Sequence, residues 1–424
     1  MPVSTVAADL DLSMSAGMEY DSQAVQEPGK SGDDFGLRLS PTLGLVDRLP
    51  RLDYRLSYQP TYVQFVNASR DEDVDHVGSL NLDYAFGPRT RMGLDNRVTW
   101  IRSFVFESLQ ENRGGQIVTV ADDNLTSDRI FREEVSLQVE HDLSERLTGS
   151  SSVSYGLLDA EDPTQIDSQG GSSETQLSYT LDARTALSAG GAFSYQAYEE
   201  VDAQLPLPLE AMFPTAVQEP ASQSYVYQGF AGVTRRFGDV WSFSLRGGPT
   251  RIVTRQDGAI VATQVLLPGV GPAFVIRNLA PSVDGRWTFF GQGRLGARWS
   301  DTLRSSASYR RSQDDSSGNS GTSIRDSVSL FTSWQPAELW NLDLLGEWVM
   351  RNRANSTTTA NDFDSTRWSL TGGVSRSLTQ RASVALRFHL SLQETKQGAS
   401  SDSIDQELVF LEFRYAFDPI RVWH

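Results

Sequence analysis

The chain has 424 residues, a formal net charge of −17 and no cysteine. The absence of cysteine excludes disulfides and thiolate metal or redox chemistry. No run of about 18 apolar residues occurs, which excludes a membrane-spanning helix.

Apolar residues recur at every second position along nearly the whole chain. The segment "LRLSPTLGLVDRLPRLDYRLSYQPTY" at 37–62 is an example. Its alternating apolar residues predict two strands joined by a tight turn. The same pattern predicts eighteen strands, with sixteen to twenty as the range. They cover 9–20, 35–46, 51–66, 76–86, 91–106, 130–142, 147–158, 174–182, 185–198, 224–236, 240–254, 282–299, 302–311, 324–335, 340–352, 364–377, 381–396 and 405–417.

The predicted connections alternate between two kinds. Short turns stand at "DRLP", "GPRT", "LSER", "DART", "FGD", "SDT", "QPAEL" and "LTQ", and longer polar stretches include 107–129, 199–223 and 255–281. Short periplasmic turns, long extracellular loops and an even strand number are typical of outer-membrane barrels. We therefore predict an all-β fold, a transmembrane antiparallel β-barrel over 9–417 in the bacterial outer membrane.

The two ends fall outside this predicted barrel. Residues 1–8 include the small-residue run Val6-Ala7-Ala8, which is typical of a signal-peptide cleavage site, and they are read as a signal remnant or an introduced start. An ordinary disordered N-terminus is the alternative. Residues 418–424 are predicted to form a short periplasmic tail, because Asp418-Pro419 interrupts the pattern and proline cannot donate to a central ladder.

The apolar face of such strands is expected to meet lipid, because a strand protein crosses a bilayer only as a closed barrel. Aromatic residues gather near the predicted short turns and predict a membrane girdle. The girdle candidates are Phe86, Trp241, Trp299, Trp334, Trp340 and Phe417.

The opposite face carries charged side chains, and burying them dry would be costly. A water-filled lumen is therefore predicted, at a strand number where barrels leave an aqueous channel. The lumen-lining candidates are Arg38, Arg55, Arg97, Arg132, Arg246, Arg286, Arg294, Arg298, Arg304, Arg310, Arg387, His389, Asp284, Asp343 and Glu347.

Charge is divided between loops and wall. The long connections are predominantly acidic, with "DEDVD" at 71–75 as the densest run, whereas the inward face is richer in arginine. An acidic mouth disfavours anions at a distance. Acidic loops also have a simpler role, in preventing aggregation and binding divalent cations beside lipopolysaccharide.

Three segments near the start, "LSMSAGMEYDSQ", "GLRLSPTLGL" and "YRLSYQPTYVQFV", resemble outer-membrane β-barrel porin families, including those associated with exosortase and exopolysaccharide systems. The resemblance implies an outer-membrane conduit, some members of these families being proposed to pass secreted polysaccharide. Near the end, "LEFRYAF" resembles the terminal-strand signal read by the barrel assembly machinery. Either Phe417 is the functional end, or Trp423 closes a longer strand.

Catalysis is the competing class of function. The histidines are His76, His141, His389 and His424. None is predicted to meet a serine and a third polar group as a hydrolase requires, although carboxylate chemistry at loop pairs such as Asp122-Asp123 stays open. We predict no enzyme, no catalytic residue, no cofactor, no metal site and no nucleic-acid patch.

The sequence thus predicts an outer-membrane conduit for hydrophilic solute, with polysaccharide export as the specific hypothesis. A general or solute-selective diffusion porin, a structural or adhesive barrel and an outer-membrane hydrolase are the alternatives. The expected partners are outer-membrane lipid and lipopolysaccharide, the barrel assembly machinery, a polysaccharide substrate and periplasmic export proteins.

Overall fold

A computed structural model describes residues 7–25, 32–66, 73–101, 129–160, 167–202, 216–219, 221–267, 271–314, 323–353, 363–397 and 400–423. In this part of the chain no helix is long and apolar enough to cross a membrane. The regular structure there is β-strand.

The strands are numbered in chain order. They are β1 (Ala7–Val25), β2 (Gly32–Arg48), β3 (Leu52–Phe65), β4 (Asp73–Gly87), β5 (Thr90–Ile101), β6 (Ile130–Asp142), β7 (Leu147–Ala160), β8 (Ser168–Asp182), β9 (Thr185–Tyr198), β10 (Val201–Asp202), β11 (Ala216–Glu219), β12 (Ser222–Phe237), β13 (Trp241–Gln256), β14 (Ala259–Leu267), β15 (Gly271–Leu279), β16 (Ser282–Arg298), β17 (Leu303–Asp314), β18 (Ser323–Ala337), β19 (Trp340–Arg353), β20 (Phe363–Ser377), β21 (Ala382–Gln397), β22 (Ser400–Ala416) and β23 (Ile420–Trp423).

Eighteen of these strands form one closed antiparallel barrel, which confirms the predicted fold. Chain neighbours pair with each other, and β9 pairs with β12 and β13 with β16 across the two intervening segments. The barrel closes where β1 pairs with β22, with Met18 opposite Leu411. Because closure gives each barrel strand a partner on either side, this arrangement removes the sheet edges that a bilayer does not tolerate.

Short and long connections lie at opposite ends of the barrel, as predicted. The short turns are 49–51, 88–89, 143–146, 183–184, 238–240, 299–302, 338–339 and 378–381. At the other end, the predicted long connection after β21 is only 398–399, because β21 and β22 continue pairing up to Gln397 and Ser400. Nearly all of the predicted loop 107–129, including Asp122-Asp123, lies outside the described residues.

Two segments predicted to be loops contain strands. β10, β11, β14 and β15 form a separate four-stranded sheet. Its β14–β15 pair continues the register of β13 and β16, since Gln256 faces Ser282 and Ala259 faces Leu279. The prediction of 255–281 as a loop was therefore wrong: the run "AIVATQVLL" at 259–267 is a strand of an extended hairpin, interrupted only at 257–258 and 280–281.

Strand pairing extends past both predicted ends of the barrel. Ala7 and Ala8 belong to β1 and pair with Trp423 and Val422 of β23. The interruption at 417–419 coincides with Asp418-Pro419. Beyond it, β23 pairs with β1 along the same edge with which β22 pairs. The arrangement in which Trp423 closes a longer strand is therefore the one adopted.

Candidate functional site: the inner wall of the barrel

One ion pair identifies the inner face of the barrel. Arg246 Nη2 on β13 lies 2.7 Å from Glu174 Oε2 on β8, although β9 and β12 separate these two strands. Only a concave surface brings side chains together across two intervening strands. The pairing register places every predicted lumen-lining residue on this same face.

Arg246 is held between aromatic rings. Its guanidinium carbon lies 3.5 Å from the ring centroid of Phe230 and 5.6 Å from that of Phe290. Both phenylalanines are buried on the inner face. Stacking and the bond to Glu174 fix the guanidinium more firmly than a surface ion pair would.

Arginines elsewhere on the inner wall are paired with carboxylates. Glu347 on β19 lies 3.6 Å from Arg325 and 3.8 Å from Arg367. Further round, the wall carries three more polar contacts: Arg387 to Glu412 at 3.8 Å, Arg38 to Glu19 at 2.8 Å, and a hydrogen bond between His389 Nδ1 and Thr371 Oγ1 at 2.7 Å. Opposite charges are therefore largely balanced on this side of the lumen.

A column of arginines follows the wall made by β13, β16 and β17. We call it the arginine track and define it as Arg246, Arg286, Arg294, Arg298, Arg304 and Arg310. Arg298 faces Arg304 next to the short turn, and Gln292 stands between Arg246 and Arg310 in a register row higher up. Like charges placed directly opposite each other destabilise a sheet, but Asp301, 2.8 Å from Arg298, offsets the repulsion at this row.

The remaining predicted residues are spread around the wall. Arg55 and Asp284 are exposed, whereas Arg97, Arg132 and Asp343 are half-buried. Asp343 accepts a hydrogen bond from Asn341 Nδ2 at 2.5 Å. The predicted set therefore forms an extended polar surface and does not converge on one binding point.

A set of buried apolar residues on the inner face was not predicted. We call it the apolar collar: Val63, Phe65, Ile130, Leu158, Tyr198, Val226, Ile252 and Val349, each less than a tenth exposed and each towards the long-connection end of its strand. Alternation predicts apolar residues on the lipid face and polar residues on the inner face, so apolar residues in the inward phase were not expected. Buried polar residues such as Asp34, Asp75 and Ser224 lie on the inner face at the same end, so the wall there is mixed and not uniformly apolar.

The girdle candidates lie beside the short turns and face outwards. Trp241 and Trp299 meet edge to face at 4.9 Å, and Tyr415 and Phe417 do so at 5.0 Å. Phe86 and Trp334 are exposed, and Trp340 is stacked by Arg376. Together they mark one boundary of the apolar band.

The histidines stand in separate places. His76 lies on the outer face between the rings of Tyr58 and Trp100, and His141 bonds Thr90 Oγ1 at 2.9 Å. The described residues contain no group of three or more His, Cys, Asp or Glu side chains that could hold a metal ion.

No protein-family model and no curated protein matches the chain. Among solved structures, the copper transporter OprC is 8% identical with a TM-score of 0.50, over 97% of this chain and 83% of that one. The siderophore receptor PiuA from Acinetobacter baumannii is 10% identical with a TM-score of 0.49, over 97% and 82%. The unliganded ferric citrate transporter FecA is 9% identical with a TM-score of 0.48, over 96% and 79%.

The likeness to OprC concerns the fold alone, which is a large closed barrel. On the outward face of this chain, side chains such as Leu56, Leu245 and Leu344 are about half exposed. A closed barrel with such a belt is stable only in lipid, because its apolar exterior would otherwise meet water. The chain is an outer-membrane β-barrel, located in the bacterial outer membrane.

The ion pairs of Glu347 give a stability prediction. Replacing Glu347 by glutamine should lower the free energy of unfolding by about 1–3 kcal/mol, because Arg367 is buried and loses its charged partner. The matched control is Asp301→Asn, which removes an exposed pair with Arg298 and should cost less than about 1 kcal/mol. Urea unfolding of the refolded barrel measures both. Equal losses would mean that the Glu347 cluster is as hydrated as the turn.

Proposed function

We propose that the barrel is a conduit for hydrophilic solute and that it exports a secreted polysaccharide bearing acidic groups. The observation that supports this is the arginine track, which runs from the short turn to the upper wall on adjoining strands. The proposal makes the barrel a transport protein and not an enzyme. It also retains the barrel assembly machinery and periplasmic export proteins as expected partners.

The physical argument rests on repeated weak contacts. Successive rows of one strand face are about 6.6 Å apart, so a bound sugar chain would meet a new guanidinium within a few rows. Arginine offers paired donors to carboxylates and hydroxyls. Conduction requires binding that is favourable enough for entry and weak enough for release, which many exposed sites satisfy better than one deep pocket.

The apolar collar favours a second candidate, a solute-selective diffusion porin. A barrel of eighteen strands is wide enough to pass solutes without selection, and selective porins need a constriction. Phe65, Ile130 and Ile252 are buried on the extracellular half of the inner face, so this half of the wall is not open to solvent, as a constriction requires.

Deletion of the gene separates the two candidates. Loss of surface polysaccharide, restored by the wild-type gene, is expected for the export conduit. Unchanged polysaccharide together with reduced uptake of a small solute would contradict export and favour the porin. The strain must keep its periplasmic polysaccharide machinery, so that the missing step is passage through the outer membrane.

The purified barrel gives a direct binding prediction. In a planar bilayer, oligomers of a uronic acid should produce transient current blocks, and replacing the arginines of β16 and β17 in the arginine track by glutamate should shorten or abolish them. Neutral oligosaccharides of the same length are the control and should block less. Blocks that are unaffected by the replacement would show that the sugar binds elsewhere.

A further inference from the structure

The outer wall contains a groove on the side made by β8, β9, β12, β13 and β16. It has a volume of ≈ 520 Å³, and its lining includes Thr175, Gly191, Phe193, Tyr227, Gly229 and Pro249. Register puts Gly191, Gly229 and Pro249 side by side on three neighbouring strands, facing lipid. Elsewhere the same face carries leucines, so the groove is a local departure from the apolar belt.

Backbone geometry does not account for glycine at the floor of this groove. Among the described glycines, positive φ is found at Gly238 and not at Gly229. A Cβ added to Gly229 would meet no atom within 4 Å. A side chain is therefore tolerated sterically, and its absence leaves space at the lipid surface.

Two arginines stand above the groove on the same outer face. The guanidinium of Arg251 lies 5.6 Å from the ring centroid of Trp287, and that of Arg255 lies 5.3 Å from the ring of Tyr225. Both arginines are exposed. Within the described part of the chain, neither has a carboxylate partner.

The height of these arginines matches a membrane surface. Arg251 follows the girdle residue Trp241 by ten residues on β13, a rise of about 25 Å for a strand tilted by roughly 40°. The apolar band of an outer-membrane barrel is about 25 Å tall. Arg251 therefore lies at the outer headgroup level, Arg255 lies about 10 Å beyond it, and the groove lies in the outer-leaflet half of the band.

We propose that this groove binds a phosphorylated, multiply acylated lipid of the outer leaflet, of the lipid A class. Its acyl chains lie against Gly229 and Pro249, and its phosphates contact Arg251 and Arg255. Arginine forks match phosphate geometry, and the flanking rings orient both guanidiniums. The site faces lipid on the outside of the barrel, so it is independent of any solute in the lumen.

A second groove provides an internal comparison. It lies on the outer wall made by β18 to β21, has a volume of ≈ 480 Å³, and is lined by groups such as Val328, Gly346, Trp348 and Trp368. Neither lining contains an arginine, but Arg311, on the outer face above this second groove, is paired with Asp326 at 3.2 Å. A Cβ on Gly346 would likewise meet nothing within 4 Å. This groove should accept any acyl chain without preference for phosphate.

Native mass spectrometry of the intact barrel in detergent tests the site with three probes, hexa-acylated lipid A, its dephosphorylated form and phosphatidylglycerol. We expect the wild type to retain lipid A best. The double variant Arg251→Ala/Arg255→Ala should weaken lipid A binding by roughly tenfold or more and leave the dephosphorylated form unchanged. Gly229→Leu should weaken both acylated forms, whereas Gly346→Leu should leave the lipid A preference intact.

Two outcomes would overturn the proposal. Retention of phosphatidylglycerol as strong as that of lipid A would identify a general anionic surface. Equal effects of Gly229→Leu and Gly346→Leu would identify ordinary annular lipid at both walls. Heat-dependent gel mobility confirms folding of each variant, and because the substituted positions lie on the outer face, the assembled barrel is the species compared.

Discussion

Replacing the five arginines of β16 and β17 in the arginine track by glutamate should turn the purified channel from anion-preferring to cation-preferring. Under a salt gradient across a planar bilayer, the reversal potential should move by tens of millivolts towards the cation limit. The change alters ten units of charge along one wall of a confined lumen. We expect no other substitution set of this size to have a comparable effect on selectivity.

The reason is that charges on the wall of a confined lumen are screened less than charges in open loops. The long connections are acidic, and at low salt their field at the mouth opposes anions. At 1 M salt the Debye length falls to about 3 Å, which removes the mouth's influence before that of the wall. The shift caused by the glutamate variant should therefore persist at high salt, while the effect of loop charge fades.

The control places nearly the same charge change outside the lumen. Arg51, Arg89, Arg146 and Arg184 lie in short turns and are exposed. Their joint replacement by glutamate should leave the reversal potential nearly unchanged at high salt. An equal shift in both variants would show that the track does not line the conducting path, and a barrel that stays silent in both would contradict the transport proposal.

The sequence specified the barrel well because lipid imposes one rule on every strand. A strand such as β19 must show apolar groups outwards at each second position, and Leu342 and Leu344 obey this rule locally. The four-stranded sheet of β10, β11, β14 and β15 was not predicted, because its strands need not place an apolar residue at every second position. The segment 259–267 is apolar at neighbouring positions, as in "IVA" and "VLL", and so lacks the alternation by which barrel strands are recognised.

The sequence predicts which residues point inwards but not which of their side chains meet. Alternation alone places Arg246 and Glu174 inwards, yet nothing local indicates that they meet, since their strands are separated by two others and their encounter depends on the curvature of the closed sheet. The collar was missed for another reason. Apolar residues such as Val226 and Ile252 are buried at the extracellular end, in the inward phase that the alternation assigns to polar side chains.

The second prediction with a large expected effect tests which face of the strands meets lipid. Replacing Leu344 by arginine should impair assembly and destabilise the inserted barrel by about 2–4 kcal/mol. Leu344 is 45% exposed on the lipid face, four residues above the girdle residue Trp340 on β19 and so near the midplane. A guanidinium there has no water and no partner at its own depth, and it must either deform the bilayer or reach for the headgroups. Leu386, which is half exposed on the same face, should respond in the same way.

The matched comparison is Arg294→Ser, which makes a large change in size and charge at the inner face. Serine there remains beside Ser244 and Ser308 in the same register row, in a wall that already meets water, so the expected loss is less than about 1 kcal/mol. Folding yield into lipid vesicles and urea midpoints measure all three variants. If the serine variant is as damaging as the arginine variants, the inner and outer faces have been assigned the wrong way round. Adding a charge should be costly only at a position that faces lipid, and removing one should cost little at a position that faces water.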